Sequence, residues 1–193
     1  MRIIAGRLRR RTLEAPAGLA TRPTSDRLRE TLFNVLSPRM EGAVFLDLYA
    51  GSGAVGIEAL SRGAAQVIFV ERAAAALKVL RANLAGLGLT AGVHVHPGSA
   101  ASYLKKARAG DAARFDVVFL DPPYDAAEEY AATLALLGGG AHAQLAEGAV
   151  VIAEHRRRER LEEGFGVLMR TRLLEQGDAA LSFYAARSFT LAE

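Results

Sequence analysis

Short apolar runs that alternate with helical stretches constrain the fold of this chain more than any other feature. Five such runs occur, at residues 44–49, 67–71, 93–96, 115–120 and 149–154. The helical stretches between them cover roughly residues 54–62, 73–86, 100–108 and 126–137. Apolar runs of this length are typical of strands that are buried on both faces of a parallel sheet. The alternation therefore predicts an open α/β sheet with helices on both faces.

The C-terminal segments break this alternation. Residues near 165–174 and 180–189 follow each other across Gln176-Gly177-Asp178, with no room for a helix between them. We expect them to form an antiparallel hairpin that closes one edge of the sheet. The predicted fold is a doubly wound, Rossmann-like α/β fold, with a mostly parallel sheet of seven strands that includes one reversed strand.

Two elements are predicted before the sheet. The first fourteen residues alternate loosely around Gly6 and indicate a short N-terminal β-hairpin. A helix follows, because Thr24, Ser25 and Asp26 offer oxygens that can cap its N-terminus. Its apolar residues are spaced to lie on one buried face, and they are Leu28, Leu32, Val35 and Leu36. Ser37-Pro38 ends this helix.

Length and composition favour one domain. The chain has 193 residues, of which 51% are hydrophobic. This is enough apolar material for a full core without disulfide or metal cross-links. We expect a basic hairpin and loop (1–23) followed by a Rossmann-like core (24–193). The absence of cysteine excludes a disulfide framework, a zinc–thiolate site and a cysteine nucleophile. No apolar run of about 18 residues occurs and no signal peptide is apparent, so we expect a cytoplasmic protein without a membrane partner. A single compact domain predicts a monomer.

Positive charge is concentrated at the N-terminal end. Residues 1–39 carry nine Arg and three acidic residues, a net charge of +6, while the whole chain carries +3. A basic arm on a mildly acidic body indicates contact with a polyanion such as a nucleic acid. The candidate contacts are Arg7, Arg9, Arg10, Arg11 and Arg22. The alternative is a solvated tail without a partner.

The end of the first predicted strand has the features of a cofactor site. Asp47-Leu48-Tyr49-Ala50-Gly51-Ser52-Gly53 leads directly into a helix, and Gly51 and Gly53 allow the backbone to approach a ligand closely. Glu71 ends the second strand, where a carboxylate can bind both ribose hydroxyls of a nucleoside cofactor. Asp47 can reach a cationic methionine group. Ser99 follows the third strand and either contacts an adenine ring or caps the next helix.

The glycine loop also permits another interpretation. Residues 51–56 match G-x-G-x-x-G, the fingerprint of dinucleotide-binding enzymes. Against a dehydrogenase, Asp47 would repel a pyrophosphate, and the chain offers no evident hydride-transfer site. A third possibility is a turn that only packs a helix; Glu71 in the expected place disfavours it.

Asp121-Pro122-Pro123-Tyr124 closes the fourth predicted strand and is the most specific feature of the sequence. The prolines restrict the backbone, so the Asp121 carboxylate and the Pro122 carbonyl are fixed hydrogen-bond acceptors. Two acceptors that hold the N–H bonds of an exocyclic base amine can direct its lone pair toward a methyl sulfonium and stabilise developing charge. Tyr124 can stack on a base taken out of its helix. The alternative is a capped turn before a helix.

A pair of histidines and a run of arginines have patterns more typical of structural roles than of binding sites. His94 and His96 lie on one strand, which supplies too few ligands for a metal, and we expect no metal site. Arg156, Arg157, Arg158 and Arg160 alternate with glutamates in a pattern more typical of a solvated charged surface than of an RNA contact.

The chain resembles the RsmD family, the guanine-N2 methyltransferases that act on bacterial 16S ribosomal RNA. The resemblance extends over nearly the whole length, and its most distinctive stretch is Arg22-Pro23-Thr24-Ser25-Asp26-Arg27-Leu28-Arg29-Glu30-Thr31-Leu32-Phe33-Asn34. It also includes residues 2–6, 47–53, 58–63 and 121–124. It implies a class I methyltransferase fold, S-adenosylmethionine as methyl donor, and 16S rRNA or a small-subunit assembly intermediate as substrate. It also implies that Thr24 lies near the cofactor.

Three functions follow as hypotheses. The first is N2 methylation of a guanine in 16S rRNA, with Asp121, Pro122 and Tyr124 as the catalytic residues. The second is N6 methylation of adenine in DNA or RNA, because the same acceptors serve either amine. The third is a non-catalytic RNA-binding assembly factor, which the intact acceptors disfavour.

Overall fold

The predicted alternation of strands and helices is present in the structure, a computed structural model that describes residues 1–15, 25–106, 114–123 and 127–187. The strands are β1 (Val44–Leu48), β2 (Gln66–Glu71), β3 (Val93–Pro97), β4 (Phe115–Leu120), β5 (Leu145–Arg156), β6 (Gly164–Phe165), β7 (Leu168–Gln176) and β8 (Ala179–Ala186). The helices are α1 (Asp26–Leu36), α2 (Ala54–Ser61), α3 (Ala74–Gly86), α4 (Ala100–Lys106) and α5 (Ala127–Gly138).

All eight of these strands form one sheet in the order β3-β2-β1-β4-β5-β8-β7-β6. The first five are mutually parallel, and β8, β7 and β6 each pair antiparallel with their neighbours. The doubly wound fold and the C-terminal hairpin are therefore confirmed. The predicted number of seven strands with one reversed strand omitted β6, a two-residue strand too short to give a sequence signal, which runs in the same direction as β8.

Helices cover both faces of the sheet, as predicted. On one face, α1, α2 and α3 pack against β1, β2 and β4 together with Ile3 and Leu13 of the N-terminal arm. On the other face, α4 and α5 form a second apolar cluster around Tyr130 and Leu134. None of the described helices is long and apolar enough to cross a membrane.

Helix α1 begins after Ser25, whose hydroxyl accepts a hydrogen bond of 3.1 Å from the amide of Leu28. Its predicted buried face is correct in part, since Leu28, Leu32 and Leu36 are buried but Val35 is only partly buried. Two further residues complete the inner face, Arg29 and Phe33. The face of α1 that carries Arg29 and Phe33 is turned toward the sheet, because Phe33 packs against Phe45 of β1 with ring centroids 6.3 Å apart.

The first fifteen residues form the predicted hairpin, reduced to one antiparallel bridge between Arg2 and Thr12. The amide of Leu13 donates to the carbonyl of Met1 at 2.9 Å and extends the pairing. The turn of this arm lies against the last residue of α2, because the amide of Arg7 donates to the carbonyl of Ser61 at 2.8 Å.

We call the edge of the sheet where the parallel strands end the carboxyl edge, and the opposite one the amino edge.

Candidate active site

The loop between β1 and α2 is a tight turn at the carboxyl edge. Gly51 and Gly53 have φ angles of 56° and 82°, in the left-handed region that favours glycine. A Cβ atom on Gly53 would overlap Cδ1 of Leu80, whereas one on Gly51 would lie 4.0 Å from the carbonyl oxygen of Tyr49. The backbone at Gly51 therefore faces space that a ligand can enter, next to the amides that open α2.

Glu71 ends β2 directly beside this loop, as the sequence predicts. Its carboxylate accepts a hydrogen bond of 2.8 Å from the amide of Gly51 and one of 2.7 Å from the amide of Ala73. Only 9% of its surface is exposed. These two bonds fix the carboxylate in place while its remaining lone pairs can still accept from hydroxyl groups.

Asp47 lies beneath the glycine loop and is 2% exposed. It accepts a hydrogen bond of 2.9 Å from the amide of Gly56, which joins β1 to the first turn of α2. Burial raises the pKa of Asp47 to about 7, the Gly56 amide opposes this shift, and the charge of Glu71 adds to it. Asp47 thus holds the loop in position, and its contact with a methionine group remains a prediction.

Ser99 follows β3 and caps α4. Its hydroxyl accepts a hydrogen bond of 3.2 Å from the amide of Ser102, and its carbonyl accepts one of 3.0 Å from Tyr103. The capping alternative raised by the sequence is therefore present. A contact between Ser99 and an adenine ring stays a prediction.

Asp121 and Pro122 directly follow β4 at the carboxyl edge. Asp121 is partly buried and Pro122 is buried. Burial raises the pKa of the Asp121 carboxyl well above its usual range, and the nearby carboxylates of Glu154 and Asp47 raise it further. Because the proline ring fixes φ and removes an N–H donor, the backbone at this point is restricted. The site therefore holds two acceptors next to each other with little freedom to move.

Glu154 is a site residue that the sequence interpretation assigned only to a charged surface. Leu120 of β4 pairs with Ala153 of β5, so Asp121 and Glu154 occupy neighbouring positions one step further along the two strands. Glu154 is 2% exposed. The end of the fifth predicted strand was a usable signal, because the same criterion identified Glu71.

Arg29 was also missed. Its guanidinium is fully buried and donates to the carbonyl of Arg2 at 2.7 Å and to the carboxylate of Asp26 at 2.8 Å. Burial lowers the pKa of Arg29, while the charges of Asp26, Glu58 and Glu154 oppose the shift. Arg29 lies four residues before Phe33 and therefore on the same helix face, which was the available signal of burial. A sequence interpretation ordinarily places an arginine at the surface, because arginine is rarely fully buried.

Arg7 and Arg11 of the N-terminal arm lie at the amino edge, away from Asp121. Arg7 donates from Nε to the carbonyl of Leu60 at 3.3 Å, and Arg11 donates from Nη2 to the carbonyl of Gly86 at 3.2 Å. These carbonyls belong to the last turns of α2 and α3, where a cation is favoured by the helix dipole. Arg9 and Arg10 are exposed. RNA contact by all four remains a prediction.

Three predicted site residues, Thr24, Arg22 and Tyr124, lie outside the described residues.

Comparisons with known proteins give matches along nearly the whole chain. The protein-family model described as "Conserved hypothetical protein 95" matches residues 1–185. "Putative rRNA methyltransferase YlbH" of Bacillus subtilis is 39% identical over 97% of this chain and 100% of its own length. "Ribosomal RNA small subunit methyltransferase D" of Escherichia coli is 44% identical over 64% of this chain, and the matched part spans 60% of that protein.

Solved structures agree with these matches. "Putative methyltransferase yhhF from Escherichia coli" superposes with a TM-score of 0.78 at 36% identity, over 97% of this chain and 98% of the other. The glycine loop, Glu71 and Asp121-Pro122 lie together at the carboxyl edge of this fold, where their positions at strand ends had placed them. The chain belongs to the RsmD family of methyltransferases.

Proposed function

We propose that this protein transfers a methyl group from S-adenosylmethionine to the exocyclic N2 amine of a guanine in 16S rRNA of the small ribosomal subunit. The arrangement of Asp121 and Pro122 at the carboxyl edge, beside the glycine loop, is the observation that supports this most directly. The names of the relatives from B. subtilis and E. coli, which refer to rRNA methylation, agree with it.

The residues at the glycine loop fit S-adenosylmethionine. Gly51 leaves its face of the loop open, and Glu71 presents a fixed carboxylate suited to the ribose hydroxyls. Asp47 would contribute negative charge near the methionine group, while Thr24 and Ser99 would complete the pocket. When bound, the cofactor supplies an electrophilic methyl group on a sulfonium sulfur.

Asp121 and Pro122 would act on the nucleophile. The carboxylate and the proline carbonyl would each accept one N–H bond of the guanine amine, which directs the nitrogen lone pair away from the ring system and toward the methyl group. They also stabilise the positive charge that develops on nitrogen. The raised pKa of Asp121 makes this carboxylate a better proton acceptor than an ordinary aspartate. Tyr124 would stack on the flipped base.

The substrate partner would be 16S rRNA or a small-subunit assembly intermediate, bound by a monomer of this protein. We include the basic arm in this proposal, with Arg7, Arg9, Arg10, Arg11 and Arg22 as contacts to phosphates.

The test is methyl transfer from labelled S-adenosylmethionine to small ribosomal subunits that lack the modification, followed by digestion and nucleoside analysis. N2-methylguanosine is expected. N6-methyladenosine would replace the proposed base with adenine. If S-adenosylmethionine binds but no product forms with subunits, naked 16S rRNA or duplex DNA, the enzymatic proposal is wrong and the protein is a binding factor.

A further inference from the structure

A groove of about 1210 Å³ opens at the carboxyl edge, next to the proposed catalytic residues. Three segments line it: the first turn of α1, the end of β5 with the residues that follow it, and the turn between β7 and β8. Five arginines contribute to this lining, Arg27, Arg156, Arg157, Arg158 and Arg160. We refer to it as the arginine groove.

The positive charge of the arginine groove exceeds what its own acidic residues neutralise. Three acidic residues line it, Glu154, Glu175 and Asp178. Glu175 forms an ion pair with Arg157 at 3.5 Å, and both side chains remain about half exposed. Glu154 is 2% exposed and lies at the inner wall. Arg27, Arg158 and Arg160 are exposed, so their guanidinium groups are available to a ligand from solvent.

The groove is continuous with the catalytic end of the sheet. Glu154 belongs to its wall and neighbours Asp121 across the β4–β5 pair. Arg156 lies two residues further along β5, about 7 Å away on the same face of the strand. A polyanion that occupies the groove would therefore pass close to the acceptors at Asp121 and Pro122.

Guanidinium groups on separate elements that converge on a concave surface suit the phosphates of a polynucleotide, because Arg binds phosphate oxygens through two parallel hydrogen bonds. Arg7 and Arg11 of the arm lie at the opposite edge, where they bind helix carbonyls. A base that reaches Asp121 needs its own backbone held at the carboxyl edge, and the groove supplies cations there.

We propose that the arginine groove binds the RNA backbone that flanks the methylated base, and that it is the main phosphate-binding surface at the catalytic edge. This inference rests on the proposed function, since it takes RNA as the substrate. It extends that function by assigning the backbone contacts to a surface formed by α1, β5 and the β7–β8 turn.

The test is the salt dependence of binding to transcribed, unmodified 16S rRNA by a triple variant, Arg27→Gln, Arg158→Gln and Arg160→Gln. We expect the affinity to fall at least about tenfold and the slope of log K against log salt to fall by about two to three. The matched control removes the same charge elsewhere through Lys78→Gln, Arg81→Gln and Lys105→Gln, three exposed residues on α3 and α4. Its slope should stay near the wild-type value.

The outcomes separate this inference from the proposed function. If the groove variant keeps the wild-type salt slope and the wild type methylates its substrate, the groove does not bind the RNA backbone and the proposed function stands. Lost affinity and a reduced slope in a protein that methylates no substrate would support the groove and reject the methylation. Weakened binding to assembled subunits with an unchanged salt slope would assign the groove to a ribosomal protein and overturn RNA as its ligand.

Discussion

The amide of Gly51 donates a hydrogen bond of 2.8 Å to the carboxylate of Glu71, so the end of β2 and the loop after β1 are joined at the proposed cofactor site. One carboxylate thus shapes the glycine loop and remains able to accept from ribose hydroxyls. Gly51 and Glu71 are 20 positions apart in the chain, and the parallel pairing of β1 with β2 brings them together.

Glu71→Gln should weaken the binding of S-adenosylmethionine by about 10- to 100-fold, because each hydrogen bond to a charged group contributes about 1.5–3 kcal/mol. The variant replaces one acceptor oxygen with an NH2 group, so one of the two hydrogen bonds from the amides of Gly51 and Ala73 is lost. Isothermal titration measures the change, and Glu147→Gln, at an exposed position of β5, is the control. Equal affinity in both variants would remove Glu71 from the cofactor site.

Asp121→Ala should lower kcat by about 100-fold or more while the affinity for S-adenosylmethionine changes little, since a lost transition-state hydrogen bond commonly costs about 3 kcal/mol. Single-turnover methylation of unmodified subunits measures the effect. Asp121→Asn keeps one acceptor oxygen and should retain more activity than the alanine variant. If alanine and asparagine variants both turn over like the wild type, the carboxylate has no part in catalysis.

The rate should rise with pH through an apparent pKa above the usual carboxyl range, because Asp121 must be ionised to accept N–H bonds and its pKa is raised. Glu154 contributes to that shift through its negative charge, together with Asp47. Glu154→Gln removes this charge, so the acidic limb of the pH–rate profile should move to lower pH. A limb that stays in place, in a variant with wild-type melting temperature, would show that Glu154 does not act on Asp121.

Asp47 should make the fold less stable as pH rises. Its pKa is raised from 3.8 to about 7, so the folded state binds more protons than the unfolded state between those values. The free energy of unfolding should therefore fall across this range, by up to about 4 kcal/mol, and level off above it. Asp47→Asn removes this contribution, and denaturant unfolding at pH 5 and pH 8 compares the two proteins. A stability difference that is the same at both pH values would contradict this assignment.

Arg29→Ala should lower the free energy of unfolding by about 3 kcal/mol, because it removes the hydrogen bonds to the carbonyl of Arg2 and to Asp26 and leaves a cavity in place of a fully buried side chain. Arg27, two positions earlier, is exposed, and Arg27→Ala should change stability by less than about 0.5 kcal/mol. Thermal or denaturant unfolding of both variants tests the difference. Similar stability losses at the two positions would mean that burial of Arg29 is energetically unimportant.

Local spacing in the sequence determined the types of element and the turns between them. The apolar runs predicted β1 through β5 because burial on both faces of a parallel sheet requires uninterrupted apolar residues. The position of Gly51 and Gly53 after a strand predicted the tight loop, since positive φ angles at these positions favour glycine for a local steric reason. Glu71 was found because parallel strands end at a common edge, and Asp121 because two prolines follow it directly after a strand.

Tertiary structure alone decided which distant residues meet. Glu154 neighbours Asp121 only because β5 pairs with β4 in a particular register, and its alternation with arginines indicated nothing more than a charged surface. Arg29 is buried because nearby carboxylates and the carbonyl of Arg2 compensate its charge, and none of these partners is identifiable from the helix periodicity. The arginine groove exists because α1 packs beside the end of β5. Such contacts depend on strand order and helix packing, which link residues far apart in the chain, whereas periodicity reports only the burial of neighbouring residues.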